Sequence, residues 1–532
     1  MAEHARSQRL RDRCLAAAFL AFLLAPLGAA GLRRATGSAA PAAWGAENRT
    51  LAEFPGIPND VADVSAWPRR FESWHDDHFG LRTQLLRAHA WIAIFALQSD
   101  PSPRLIVGSE RWIFTPPASL DSWRGARPMT EPELEGWAKA LESRRRELEK
   151  RGIAYLFALA PSKSEIYPEY LPARFRKQGP SRLDQFAARM GTDAEGCFLD
   201  LRPSLLDSKS RDRSEDRVYF PLGTHWTERG AFDGMAAIVR RLAQKRPELA
   251  EVPDVLAGTK PQDDLGDSLA RQLFLGDRIR QAVQAVELDP GSRRELEIEP
   301  EPGTRNAVVT QAGTALPRAV IFHDSFGMPL PPLFGRHFSR SVYLWQPDID
   351  WKVVEREKPD FVLQILSDRV LDLPPPSLVD AEGEARIRAQ FEASTEVVLQ
   401  FDPARNSPRI SATRAGRVFV RGGGSDARVV CSSSSAADTF LLPGFTKRPG
   451  TRPVVRLVFE SSVASSAGLF FQTRADPSYS RRRQLQFETH IGTNECIGEI
   501  VDPDFSGRLM FRPAQEVGTF EVRLLEVRLV PD

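Results

Sequence analysis

The sequence predicts an open α/β sheet with helices on both faces, followed by an all-β sandwich. Between residues 101 and 375, continuous apolar runs of strand length alternate with helix-forming segments, which is the pattern of a parallel sheet covered on both sides. After residue 376 the runs become short and are separated by turns, as in stacked antiparallel sheets. A chain of 532 residues that is 42% hydrophobic is long enough to bury both cores. Lys plus Arg number 71 against 70 for Asp plus Glu, so no global positive field gathers nucleic acid, and none is expected as a partner.

At the N-terminus, Arg6, Arg9, Arg11 and Arg13 precede the uncharged stretch Cys14 to Leu32. As a helix this stretch spans roughly 28 Å, close to the hydrocarbon thickness of a bilayer. Residues 1–32 therefore read either as a signal anchor or as a signal peptide cleaved near Gly28-Ala29-Ala30. Both place the rest in the periplasm, and the first tethers it to the inner membrane through residues 14–32. Residues 33–100 read as an extension that packs on the core.

Within 101–375, Glu131 to Lys150 forms a helix with Thr130 as cap and Glu133 three positions on. Ile153 to Ala160 is a buried strand stopped by Pro161-Ser162-Lys163. A second helix runs from about Glu228 to Gln244, and further strands are Ala319 to Phe322 and Phe361 to Ile365. Residues 376–398 are a linker containing a polar helical stretch, Ala381 to Glu396. The sandwich, 399–532, has strands at Val418 to Arg421, Pro453 to Phe459, Gly468 to Gln472, Gly507 to Pro513 and Phe520 to Leu529. Cys431 and Cys496 either pair across it or stay as buried thiols, since spacing alone does not choose. The eight histidines are scattered and no C-x-x-C occurs, so no metal site is expected.

In open α/β sheets functional groups gather where strands end at their carboxyl edge. Three segments qualify: Pro161-Ser162-Lys163, Gly223-Thr224-His225-Trp226 and His323-Asp324-Ser325-Phe326-Gly327. A serine at a strand-to-loop turn with a distant histidine is the composition of an acyl-transfer nucleophile and its base.

Several ordered words carry a resemblance. Pro161-Ser162-Lys163, Ile166 to Pro172, Thr224 to Ala231 and Asp324-Ser325-Phe326 are joined by Glu47 to Pro55, Asp77 to Arg82, Val107-Gly108 and Trp112-Ile113-Phe114. Over about residues 45–370 the chain resembles the alginate O-acetyltransferase family of AlgJ and AlgX. The resemblance implies an SGNH hydrolase-like, flavodoxin-like sheet with Ser325 as nucleophile and His225 as general base. It implies O-acetylation of an extracytoplasmic, alginate-like polysaccharide through an acyl-serine. The acetyl group would come from a membrane-bound O-acyltransferase rather than a soluble cofactor, in company with other exopolysaccharide export proteins. The sandwich resembles the carbohydrate-binding modules of AlgX-like proteins, with Tyr479 and Arg481-Arg482-Arg483 facing either a polymer or only solvent.

The family's acid stands two residues before the histidine, and here that position is Gly223. Four readings follow. A Ser325–His225 dyad works alone; a carboxylate such as Asp216 or Glu228 replaces the acid; His323 is a relocated base or merely binds a loop; or the chain is a non-catalytic polysaccharide-binding or scaffold subunit. A carbohydrate O-acetyl esterase would use the same residues. The Ser325 backbone N–H is expected in the oxyanion hole. Asp324 is expected to hold a neighbouring loop. Lys163, Trp226 and Arg369 are candidate substrate contacts, with ion pairing or packing as the alternative.

Overall fold

The computed structural model describes residues 2–36, 52–58, 61–191, 196–212, 216–251, 256–265, 268–276, 278–288, 296–300, 306–311, 315–376, 381–401, 411–412, 417–421, 428–432, 438–463, 465–480, 483–502, 504–514 and 518–531. The words at 47–51 and the pair Arg481-Arg482 lie outside the described residues.

Short strands β1 (Ile106–Val107) and β2 (Ile113–Phe114) pair with each other beside the main sheet. The helix Glu131–Lys150 follows, started by a capping box in which Thr130 and Glu133 satisfy each other's backbone N–H. It leads into β3 (Ala154–Ala160), then β4 (Phe198–Asp200). A separate antiparallel pair, β5 (Leu256–Leu265) and β6 (Arg280–Leu288), precedes β7 (Leu296–Pro300), β8 (Ala307–Gln311), β9 (Arg318–His323), β10 (Arg340–Leu344) and β11 (Phe361–Ser367).

The main sheet has the order β4-β3-β11-β9-β10-β8-β7. β4, β3, β11, β9 and β10 are parallel, whereas β8 and β7 run antiparallel at one edge. Those two edge strands depart from the expected all-parallel sheet. Glu297 and Glu299 on β7 are exposed, so its sequence lacks the apolar run that marks a doubly covered strand. In β3, Leu156, Ala158 and Ala160 enter one core while Tyr155, Phe157 and Leu159 enter the other. Successive side chains of a strand point to opposite faces, so this strand must be covered on both.

β12 (Val397–Phe401), β13 (Ser411–Ala412), β14 (Arg417–Arg421), β15 (Arg428–Ser432), β16 (Phe440–Leu441), β17 (Thr451–Ser461), β18 (Ser465–Thr473), β19 (Gln484–Thr489), β20 (Gly492–Glu499), β21 (Phe505–Arg512) and β22 (Thr519–Pro531) build two antiparallel sheets around a third core. The linker is not a bare tether. Its helix, Ala381–Ala393, buries Ile387 and Phe391 against Val454 and Val530 of the sandwich.

Cys431 and Cys496 are buried thiols not joined in a disulfide, which removes the expected alternative of a bridge. They sit on β15 and β20, separated in the sheet by β22 and β17. Three strand spacings amount to about 14 Å, roughly twice the Cα separation a disulfide tolerates. The stretch 14–32 lies within the helix Ala2–Thr36, which contains Pro26. Among the described residues, no helix is long and apolar enough to cross a membrane.

Candidate active site

Ser325 opens a 3-10 turn, Ser325–Gly327, directly after β9. Asp324 caps it: Oδ1 accepts the Phe326 N–H at 2.9 Å, while Oδ2 accepts the N–H and hydroxyl of Ser367 at 2.8 and 2.6 Å. The carboxylate thus holds the serine turn to the end of β11, the loop-binding role expected for it.

His323 is 2% exposed, and its Nδ1 lies 2.7 Å from the Asp324 carbonyl. Tyr343 and Trp345 pack edge-on to its ring. Burial pushes its pKa below the ordinary histidine value, so it stays neutral at neutral pH. Gly327 lies against the same ring, where a Cβ would come within 2.3 Å of the His323 Cγ. The Gly in the Asp-Ser-Phe-Gly word is therefore required by close approach, and His323 is a packed loop holder.

His225 lies on a loop closed by the bridge between Tyr219 and Trp226 and by the Phe220 N–H donating to the His225 carbonyl at 3.1 Å. Its ring is 5.3 Å, centroid to centroid, from that of Phe326, the residue after Ser325. Trp226 Nε1 donates to the Phe326 carbonyl at 3.1 Å, clasping the histidine loop to the serine turn. Trp226 is 2% exposed and packs on Gly234, where a Cβ would approach its ring to 2.8 Å. It is a clasp buried away from any polymer, which corrects its expected substrate contact. Thr227 then caps the helix Glu228–Ala243 by accepting the Gly230 N–H.

The replacement acids expected from sequence are engaged elsewhere. Asp216 pairs with Arg229 at 3.4 Å, and Glu228 accepts the Val286 N–H at 2.9 Å. The neighbour that the structure places on the ring is Thr224, whose Oγ1 is 3.3 Å from His225 Nδ1. Sequence reasoning passed over Thr224 because a hydroxyl beside a histidine is unremarkable in composition.

Lys163 is 4% exposed. Its Nζ lies 2.5 Å from the carbonyl of Ile113, 3.1 Å from Phe220, 2.9 Å from Pro221 and 2.6 Å from Gly223. The rings of Trp112 and Phe114 flank it at 5.3 and 4.9 Å. Its ammonium is bound by backbone carbonyls, and the residue also borders the cleft beside Phe326 and Arg369.

A small cleft of about 20 Å³ opens beside these loops, with Phe114, Ser119, Ser162, Thr224, Phe326 and Arg369 in its wall. Volume of this order holds one or two water-sized groups. Arg369 lies over the Phe326 ring at 5.9 Å and has no ion pair among the described residues. Next to it, Asp368 was missed by the sequence reading, although it immediately follows an all-buried strand. Its Oδ2 accepts the N–H and hydroxyl of Ser162, both at 2.8 Å, and its Oδ1 is buried without a hydrogen-bond partner among the described residues. Burial first, and then the nearby Glu165 carboxylate, push the Asp368 carboxyl up to about 7.

Comparison with known proteins gives similarities over part of the chain. Residues 105–296 match the family model described as SGNH hydrolase-like domain, acetyltransferase AlgX, a stretch that includes Lys163, Gly223 and His225 and stops short of Ser325. The probable alginate O-acetylase AlgJ of Pseudomonas syringae pv. tomato is 25% identical over 204 residues, 37% of this chain and 48% of that protein. The protein of the same description from Pseudomonas aeruginosa is 26% identical over 162 residues, 30% of this chain and 38% of that one. This chain therefore spans less than half the length of either relative. The solved structure of Pseudomonas aeruginosa AlgX aligns with 80% of this chain and 94% of its own, at 15% identity and a TM-score of 0.37. Over residues 105–296 the chain is thus similar to the SGNH hydrolase-like acetyltransferase domain of AlgX, and over a comparable length to AlgJ.

Proposed function

We propose that the chain transfers an acetyl group to a hydroxyl of an extracytoplasmic, alginate-like polysaccharide through an acyl-Ser325 intermediate. The observation that carries this reading is the clasp of the His225-Trp226 loop onto the Ser325 turn, through the Trp226 hydrogen bond and the His225–Phe326 ring contact. The alginate O-acetylase names of the relatives support the substrate class.

In this reading, Nδ1–H of His225 donates to Thr224 Oγ1 and leaves Nε2 as base. Nε2 takes the Ser325 proton as Oγ attacks the donor's acetyl carbonyl, and that proton passes to the leaving group. An acceptor hydroxyl then attacks the acyl-serine, giving its proton to His225, which returns it to Ser325. The Ser325 backbone N–H is a donor for the oxyanion. The small cleft suits an acetyl group, and Arg369 at its wall suits a carboxylated sugar. The N-terminal run of arginines followed by an apolar stretch supports export to the periplasm with tethering at the inner membrane. There a membrane-bound O-acyltransferase supplies acetyl beside other export proteins. The sandwich serves as a carbohydrate-binding unit.

The test offers the soluble part of the protein p-nitrophenyl acetate and looks for an acetyl adduct on Ser325 by mass spectrometry. The adduct should form in the native protein and be absent in Ser325→Ala and His225→Ala. Its absence from the native protein, with polymer binding retained, would establish the scaffold reading instead. Acetyl passing to water in preference to an added polyuronate would make the chain an esterase.

A further inference from the structure

The family's acid is missing at Gly223, yet the Gly223 backbone is among the most firmly held in the site. An ammonium has three protons, and four carbonyls surround that of Lys163 within 3.1 Å, so the charge is solvated by protein dipoles in place of water. Three of those carbonyls belong to Phe220, Pro221 and Gly223, within the loop that ends in His225. The fourth, Ile113, ties the loop to β2, and the Ile113 N–H in turn donates to the Pro221 carbonyl at 3.0 Å.

Lys163 is itself anchored to the nucleophile. The N–H and hydroxyl of Ser162 bind Asp368, whose neighbour Ser367 binds Asp324, which caps the Ser325 turn. A continuous path of covalent and hydrogen bonds thus runs from the serine turn, through the carboxyl ends of β11 and β3, to the histidine loop.

We propose that Lys163 is the positioning residue for His225, fixing through the backbone of its loop the base that a carboxylate at position 223 would have fixed through its ring. This rests on the acyl-Ser325 reading for its kinetic consequence, but not for its structural one. A triad acid orients the imidazole directly. Here the loop is immobilised around the histidine, with Thr224 left as the neighbour on Nδ1. Because reacting groups lose rate steeply when displaced, releasing the loop lowers turnover.

The experiment compares native protein with Lys163→Met and Lys163→Arg, using p-nitrophenyl acetate kinetics, the rate of Ser325 acetylation, thermal unfolding and 15N spectra of the histidine rings assigned with His225→Gln. The ammonium's removal in Lys163→Met should lower kcat about 100-fold while KM stays within about twofold. The His225 signals should pass from one tautomer to an averaged pair. Lys163→Arg should recover part of kcat, because it still donates to carbonyls. A folded Lys163→Met that acetylates Ser325 at the native rate with one tautomer would overturn the proposal. Should Lys163→Met fail to fold, Ser162→Ala loosens the same anchor more gently: kcat should fall about fivefold with KM unchanged, and no fall would overturn the proposal. Absence of an adduct in the native protein would instead sink the acyl-serine reading, and the tautomer comparison would then decide the role of Lys163 by itself.

Discussion

The rim of the α/β sheet and the core of the sandwich solve the same problem of holding strand ends and loops in place, and they solve it with opposite materials. At the rim, buried Lys163, Asp368, His323 and half-buried Asp324 are spent on backbone groups of neighbouring loops. In the sandwich, Phe459, Phe511, Leu469 and Leu525 fill the interior, and charged pairs such as Arg421–Glu521 and Arg456–Glu495 lie along its outside. Apolar packing is non-directional, whereas a hydrogen bond fixes distance and angle. At the rim, directional bonds hold the loops where atoms must be placed for chemistry.

The largest break in that contrast is His225→Ala. Loss of the base should cost about 10³-fold in Ser325 acetylation, in the middle of the range of general-base effects, while thermal unfolding stays near native because the ring is only half-buried. Initial rates and the unfolding midpoint measured on one preparation separate the two. Phe511→Ala should do the reverse: Phe511 is 1% exposed and packs edge-on against Phe459, so its truncation should destabilise the sandwich by about 3–5 kcal/mol. Ester turnover below the sandwich's unfolding transition should be unchanged. A parallel loss of acetylation would mean that the two regions are coupled.

Asp368 sharpens the comparison through pH. Its carboxyl is raised to about 7 in the folded chain, against about 3.9 when unfolded. Between those values the folded state holds a proton that the unfolded state has released. The favourable contribution is therefore complete below about pH 4, declines as pH rises towards 7, and is gone above it. Native protein should lose stability by several kcal/mol over that window, and Asp368→Asn should flatten the curve. Urea midpoints at intervals from pH 4 to 8 measure both.

Much of this was legible in sequence, for identifiable reasons. The helix Glu131–Lys150 announced itself through Thr130 and Glu133, and β3, β9 and β11 through unbroken apolar runs, because both depend on residues close in the chain. Asp324 was readable as a loop holder, since strand alternation turns it away from Ser325. The corrections come from long-range facts. The edge strand β7 is too polar to betray its pairing, and the separation of Cys431 from Cys496 depends on strand order. Burial speaks against Trp226 as a surface contact, because a tryptophan near a site looks the same in sequence whether it faces a polymer or a backbone carbonyl. Asp368 became visible only once the fold brought Ser162 to it, whereas Thr224 adjoins His225 in the chain and needed the side-chain geometry to place its hydroxyl on Nδ1.

The gentlest probe is Glu495→Gln. Glu495 on β20 receives Arg456 from β17 at 2.9 Å and Arg388 from the helix Ala381–Ala393 at 2.7 Å. The hydrogen bond from Arg388 holds its carboxyl below the usual range, opposed by partial desolvation and aided by the Coulomb attraction of both guanidinium groups. A lowered carboxyl contributes stability that is present above its unfolded value of about 4.3 and is lost as pH falls through the folded value. All three side chains are about one-third exposed, so solvent and salt screen the pairs and the loss should stay under about 1 kcal/mol. Raising salt to 1 M should erase most of the difference between Glu495→Gln and native protein. The pH-dependent difference between native protein and Asp368→Asn should persist under the same salt, because the native Asp368 carboxyl is buried. If both signatures disappear in salt, the rim is solvated like the sandwich surface, and directional bonding no longer distinguishes the two regions.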